Sequence, residues 1–444
     1  MTARETVFTW GAPPVKFGAG ALQELGSDVA ALGARRALVL TDPHLAALGV
    51  AQRAVDHLAA EGVSALVYDQ VQVEPTDASI AAAVQAVGRP DWDVVVAVGG
   101  GSSIDTAKVV NLLTCYPAPI LDYVNKPVGR GLPPPGPLRP LVAVPTTAGT
   151  GSESTPVCVL DILELALKTG ISHPALRPVL AVLDPELTMT LPPAVTAASG
   201  MDVICHALES FTARPYTGFS RHPAGARPSY CGSNPISDQW AARTLSLAGS
   251  ALPRAVRDGS DVSARTDMLM AAMFAGMGFG NAGVHIPHAC AYPIAGRVRG
   301  YRPAGYPVDE VFVPHGQAVS LTAAAAFRAT FAAAPERHQQ AAALLAGRAP
   351  HMAFADGSVT AIATGTGDGG TDAEDHRDHL PRVLTHLMRT IGIPNGLHAV
   401  GYGADDIPTL VDGALRQQRL TAIAPIEVHA EVLRSILLES LAVW

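Results

Sequence analysis

The feature that most constrains this chain is the run Asp93–Val98 (DVVVAV), followed at once by Gly99-Gly100-Gly101. A continuous apolar, β-branched stretch of this length suits a strand buried on both faces inside a parallel sheet. The glycines stop the strand, and a helix starts near Ser103. Ala37–Thr41, Ala65–Tyr68 and Leu141–Val144 are further strand candidates, and helix-like stretches lie between them, from Asp42-Pro43 through Leu58 and over Ile80–Val87. Such alternation predicts a mostly parallel sheet covered by helices on both faces. Beyond Leu191-Pro192-Pro193 the texture changes. Ala194–Phe211, Asp238–Val256, Val262–Met277 and Ala318–Ala334 are long, rich in Ala and Leu, and suited to helix. The chain therefore divides into an α/β domain over 1–191 and an all-helical domain over 192–444. Arg214–Pro235 is too rich in Pro and Gly for a helix, and the middle of Ala353–Asp378 reads as a mobile surface loop.

Composition narrows the function classes. The 444 residues carry 31 Lys+Arg against 39 Asp+Glu, a formal charge of −8. Nucleic acid is not expected as the main partner, because phosphate backbones attract basic faces. No apolar run reaches about 18 residues without a Pro, Gly or charge, so no membrane span is expected. Met1–Trp10 has no apolar core of a signal peptide. Five cysteines without a CxxC pair fit free thiols in a reducing compartment, and a cytoplasmic location is expected.

Four groups of residues carry chemistry. Gly99–Asp105 (GGGSSID) joins a strand to a helix, where close backbone approach and free N–H groups suit a phosphate. A tight turn capped by Ser102 or Ser103 is the alternative. Pro145–Thr155 (PTTAGTGSEST) is dense in hydroxyls at another strand's C-terminal end, where open α/β sheets bind ligands. Gly18-Ala19-Gly20 follows no parallel strand and reads as a turn. Asp42 ends a strand, where a carboxylate can bind an adenosine ribose and repel a 2′-phosphate, or simply form a turn. Asp202 and His206 stand four apart on one helix face, spaced for a divalent cation or for a helical hydrogen bond. His285, His288 and His315 add imidazoles in Gly- and Pro-marked segments of the same domain.

These pieces resemble the iron-containing alcohol dehydrogenases. The matching motifs are GGGSSIDTAK (99–108), PTTAGTGSE (145–153), the PP to SGMDVICHALES stretch (192–210), HACAYPIAG (288–296) and VPHG (313–316). A closer likeness is to the hydroxyacid-oxoacid transhydrogenase branch, through VEPTD (73–77), LKTGISHPALRP (167–178), GSNPISDQWA (232–241), GFGNAGVHIPHACAYPIAG (278–296) and YPVDEVFVPHG (306–316). The resemblance implies a dehydroquinate synthase-like architecture: an N-terminal α/β dinucleotide-binding domain, then an all-α domain, with a divalent metal, Fe²⁺ or Zn²⁺, in the cleft. It assigns the metal to Asp202, His206, His288 and His315. It assigns NAD(H) to Asp42, Gly100, Gly101, Ser102, Thr146, Thr155 and Lys168. Many relatives carry a second His four residues after the third ligand; here that position is Tyr292. His285 is then a candidate for the proton relay, beside Tyr292, with a structural role as its alternative. Glu74 stands where Asn is frequent.

The implied activity is hydride transfer between NAD(H) and a small hydroxyacid or oxoacid. A hydroxyacid such as 4-hydroxybutyrate reduces bound NAD, and a 2-oxoacid such as 2-oxoglutarate reoxidises it. An ordinary NAD-dependent alcohol dehydrogenase is the alternative, and a homodimer is expected. A protein that has lost catalysis is set aside, because all four metal ligands are in place. The acid substrate calls for a cation, and Arg297, Arg299 and Arg302 lie between ligands His288 and His315, where the alternative is a solvated basic loop.

Overall fold

The computed structural model describes residues 3–89, 91–165, 167–306, 310–347, 354–355, 358–359 and 373–444. The chain forms two compact units, Gly11–Leu191 and Pro192–Trp444 together with Met1–Trp10. The first ten residues, grouped with the α/β domain from sequence, thus belong to the helical unit. There the Glu5 carboxylate accepts from the His222 N–H at 2.9 Å, and Phe8 meets Tyr216 edge-on.

The α/β unit holds strands β1 (Val15–Phe17), β2 (Arg36–Leu40), β3 (Ser64–Tyr68), β4 (Val94–Gly99), β5 (Leu141–Pro145), β6 (Val157–Ile162), β7 (Leu167–Ser172) and β8 (Leu180–Leu183). Six of them make one parallel sheet in the order β1-β8-β5-β4-β2-β3. Helices α1 (Leu25–Ala31), α2 (Pro43–Ala47), α3 (Val50–Ala60), α4 (Asp77–Val87), α5 (Gly101–Cys115) and α6 (Ile120–Tyr123) connect them. The continuous apolar run of β4 has a direct reason. Val94, Val96 and Val98 enter one core with Val29, Ala54 and Leu58, while Val95 and Ala97 enter the opposite core with Ala83, Ile104 and Val110. Successive side chains point to opposite faces, and both faces are covered.

Three expectations need correction here. Gly18 directly follows β1, which pairs in parallel with β8, so its segment does leave a strand of the sheet. It still makes a turn, with Ala21 N–H donating to the Gly18 carbonyl. Strands β1 and β8 are three and four residues long, too short for periodicity to reveal. Strands β6 and β7 form a separate antiparallel hairpin that alternation of strands and helices did not anticipate.

The helical unit is built on α7 (Pro193–Thr212), α8 (Pro235–Arg257) and α9 (Val262–Ala282), which pack on one another. Next come α10 (Ile286–Gly296), α11 (His315–Thr330), α12 (Pro335–Leu345), α13 (Ala373–Thr390), α14 (Ile407–Leu415), α15 (Gln418–Thr421) and α16 (Ala430–Glu439). Helix α11 packs on both α7 and α10. It begins three residues before the expected Ala318, after Pro314. The loop expected over 353–378 falls largely outside the described residues, and its end from Ala373 is the first part of α13. Among the described residues no single helix is long and apolar enough to cross a membrane.

Candidate metal and nucleotide sites

Helix α7 starts with Pro193 in its first turn and runs 20 residues. Proline is tolerated there because that N–H has no helical partner. The helix carries Asp202, His206 and Glu209 at spacings of four and three, so all three share one face. Helix α10 brings His288 and Tyr292, and α11 opens on His315. Gly316 permits this closeness. A Cβ on it would sit 1.9 Å from the Ala198 carbonyl oxygen and 3.0 Å from the Asp202 Cβ.

The Asp202 Oδ1 atom is the hub. His288 Nε2, His206 Nε2 and His315 Nε2 lie 3.5, 3.7 and 3.9 Å from it. These spacings are long for hydrogen bonds. Asp202, His206 and His288 offer ligand atoms that all lie within 4.8 Å of one another, close enough to share one cation, and His315 joins them through its distance to Asp202. Asp202 Oδ1 and His288 Nε2 are buried and find no hydrogen-bond partner among the described residues. Buried polar atoms are rarely left so, and a divalent cation satisfies both at once. The carboxylate of Asp202 and the imidazoles of His206 and His288 therefore fit a divalent metal, with His315 beside them at the more open side.

The charges agree with the geometry. Burial favours a neutral Asp202 carboxyl, yet the imidazoles of His206, His315 and His288 hold its pKa well below the carboxylate range. Burial pushes His206 down to about 3, only partly offset by Asp202. Burial also opposes charge on His288, but Glu209 and Asp202 outweigh it and raise that pKa to about 9. Buried groups that would otherwise gather a proton on His288 are ones that welcome a cation.

Glu209 was missed by sequence reasoning. It is fully buried and accepts from the backbone N–H of His285 at 2.7 Å and of His288 at 3.2 Å. It also pairs with His288 Nδ1. This fixes the ring so that Nε2 faces Asp202, the outer-shell role carboxylates play for metal-binding histidines. The i+3 spacing from His206 was the available signal. Glu209→Gln is expected to lower metal affinity by about 10–100-fold. Competition against a chelator reads it, and equal affinity would reduce Glu209 to a packing group.

His285 is fully buried. Its Nε2 meets the Thr212 hydroxyl at 3.1 Å, its ring is edge-on to Phe327, and burial lowers its pKa to about 4. Tyr292 does stand at the cluster, its ring 6.0 Å from that of His315. Of the three arginines, Arg299 is exposed and paired with Asp406 at 2.6 Å. Arg302 is exposed, and half-buried Arg297 follows the last residue of α10, the helix of His288 and Tyr292.

The residues that the resemblance assigns to the nucleotide all belong to the α/β unit. Helix α5 starts at Gly101, and no side chain caps its N-terminus, leaving first-turn N–H groups for an anion. A Cβ on Gly101 would meet the Thr150 side chain at 2.4 Å, and one on Gly100 the Thr147 side chain at 3.2 Å. A side chain at Gly101 would push the hydroxyl-rich segment away, and one at Gly100 would crowd it. The segment is anchored by Lys108, which was part of the motif but had no assigned role. Its buried ammonium donates to Ser152 O and Oγ at 2.7 Å, to Val157 O at 2.6 Å and to Thr155 Oγ1 at 3.3 Å. Asp105, one turn earlier, accepts from Ser152 Oγ and from the Val159 N–H. Thr155 thus faces Lys108. Thr146 is buried and donates its N–H to Gly99 O, tying the end of β5 to that of β4. Asp42 accepts from the Leu45 N–H as N-cap of α2, so the turn role is real whatever else it does. Lys168 is buried between Glu74 and Asp161, at 2.7 and 2.8 Å.

The profile of iron-containing alcohol dehydrogenase matches residues 12–185, and that of the Fe-containing alcohol dehydrogenase family C-terminal domain matches residues 229–441. The chain belongs to the iron-containing alcohol dehydrogenase family. It is accordingly an oxidoreductase acting on a small-molecule substrate, and the family uses NAD(H) and a divalent metal. A hydroxyacid-oxoacid transhydrogenase, mitochondrial, of Rattus norvegicus is 42% identical over 93% of this chain and 85% of its own length. Among solved structures, a 1,3-propanediol oxidoreductase is 27% identical with a TM-score of 0.81, covering 98% of this chain and 100% of its own. A sulfoacetaldehyde reductase from Bifidobacterium kashiwanohense, in complex with NAD⁺, is 26% identical with a TM-score of 0.76, covering 97% and 98%. The transhydrogenase relative is named as mitochondrial, which overturns the cytoplasmic location expected from the sequence.

Proposed function

We propose that this member of the family transfers hydride from a small hydroxyacid to a 2-oxoacid through NAD(H), with 4-hydroxybutyrate and 2-oxoglutarate as the reference pair. The observation that carries the reading is the convergence of three imidazole Nε2 atoms on the buried Asp202 Oδ1. It is supported by identity of 42% to a protein of that activity. Asp202, His206, His288 and His315 are the residues that would hold the metal, Fe²⁺ or Zn²⁺. When bound, such an ion acts as a Lewis acid that lowers the pKa of a substrate hydroxyl. The nicotinamide is the hydride acceptor and donor, while the protein supplies binding and orientation. Glu209 keeps the His288 proton on Nδ1. Gly100, Gly101 and Ser102 offer the pyrophosphate their backbone N–H groups, with Thr146, Thr155 and Lys168 completing the nucleotide set. Tyr292 borders the substrate beside His315, and Arg297 binds its carboxylate.

The test is kinetic. Metal-loaded protein is given 4-hydroxybutyrate with either free NAD⁺ or 2-oxoglutarate as acceptor. Faster turnover with the oxoacid supports the proposal, and turnover with free NAD⁺ alone favours the ordinary alcohol dehydrogenase. Arg297→Ala is expected to lower kcat/KM for 4-hydroxybutyrate more than for 1-butanol, by about 1.5–3 kcal/mol, the worth of a hydrogen bond to a charged group. Parallel losses would remove Arg297 from the site. Asp42→Gly is expected to relax discrimination against NADP(H). As a cap, Gly in place of Asp costs only a few tenths of a kcal/mol, so stability leaves the comparison clean. An unchanged ratio of specificity constants would leave Asp42 a turn residue only.

A further inference from the structure

Glu74 is the only non-glycine among the described residues with a positive φ, at 56°. L-residues avoid this left-handed region because Cβ crowds the following carbonyl. Pro75 follows it, and proline presses its predecessor toward extended backbone. A residue held there against both tendencies is over-determined by its surroundings, and such residues gather at ligand clamps.

The surroundings are identifiable. The Glu74 N–H donates to Ser102 Oγ at 3.2 Å, on the first turn of α5. Its carboxylate accepts from Lys168 Nζ at 2.7 Å, on β7. Lys168 also donates to Asp161 on β6 at 2.8 Å, and the Asp161 N–H donates to the Pro75 carbonyl at 2.9 Å. Burial opposes the charge on Lys168, and the carboxylates of Glu74 and Asp161 outweigh it and hold its pKa above the usual lysine value. One strained residue therefore connects the glycine turn to the buried lysine. Both ends belong to the nucleotide set.

We propose that Glu74 is a positioning residue that ties Ser102 to Lys168, keeps the nucleotide site preformed and thereby sets how long NAD(H) stays bound between half-reactions. The inference rests on the reading of this unit as the NAD(H) site of a transhydrogenase. A preformed site lowers the ordering cost of binding, and such gains act mostly through the dissociation rate.

The test uses the full-length, metal-loaded protein with Glu74→Asn and Glu74→Gln. Asparagine tolerates the left-handed backbone but is too short to hold Lys168. Glutamine keeps the length and loses the charge. NADH release is followed by stopped-flow fluorescence, alongside thermal melting. With 4-hydroxybutyrate and 2-oxoglutarate supplied together, free NADH in the medium is measured against reduced oxoacid. Dissociation is expected to rise by about tenfold or more in Glu74→Asn, the scale of one lost charge-assisted hydrogen bond, and by less in Glu74→Gln. The share of hydride escaping as free NADH should rise in the same order. Unchanged dissociation in both variants overturns the inference, and a lowered melting temperature with unchanged dissociation does so too, by making Glu74 merely structural. A parent protein that binds no NADH overturns the functional reading and this inference with it, so the two failures are distinguishable.

Discussion

Asp202→Ala is expected to yield a folded protein without its metal, with hydride transfer lowered by about a thousandfold or more. Asp202 Oδ1 is the atom on which the three imidazole nitrogens converge, so its loss opens the site at its centre. The lost Lewis acidity is worth several kcal/mol, and each 1.36 kcal/mol is about tenfold in rate. The fold should survive, because alanine is the best helix former and α7 is buried along most of its length by apolar neighbours. Elemental analysis with circular dichroism reads both halves of the expectation. His206→Ala should behave alike. Metal stoichiometry equal to the parent would sink the assignment.

Gly316→Ala is expected to be as damaging, though it touches no ligand atom. In an open helix interior, Gly to Ala stabilises by about 1 kcal/mol. Here the new Cβ would lie 1.9 Å from the Ala198 carbonyl oxygen, a backbone atom that cannot turn aside. Helix α11 must move off α7, and His315, one residue earlier, moves with it away from Asp202. Overpacking of this kind costs about 1–3 kcal/mol or more. The variant should melt lower and lose metal to a chelator that leaves the parent loaded. Gly300→Ala is the control, since a Cβ there meets nothing within 4 Å. A Gly316→Ala protein with unchanged melting and metal content would show that the two helices do not need the glycine.

Legibility in the sequence followed the range of the forces involved. Strand β4 announced itself because both faces of the sheet are covered, which leaves an unbroken apolar run. Asp202 and His206 were readable as a pair because helical spacing is local. The short strands β1 and β8 were not, since three or four residues carry no period and their pairing joins positions over 160 residues apart in sequence. Glu209 looked like any helical glutamate, and only burial against His288 gave it a task. Arg297, Arg299 and Arg302 were equivalent by sequence. Solvent exposure and Asp406, 107 positions from Arg299, separated them.

By itself, the sequence determined the α/β and all-helical division near 191, the turn where the backbone had to be glycine, and the residue types of a metal site. These follow from local sterics and from the burial pattern of each element, which depend on near neighbours along the chain. Tertiary structure alone decided that three imidazoles from α7, α10 and α11 meet on one carboxylate oxygen, that the His285 ring hydrogen-bonds to Thr212, and that Glu74 is strained between Ser102 and Lys168. Those outcomes depend on packing between elements remote in sequence, where fractions of an ångström set which polar atoms are satisfied and which are left for a ligand.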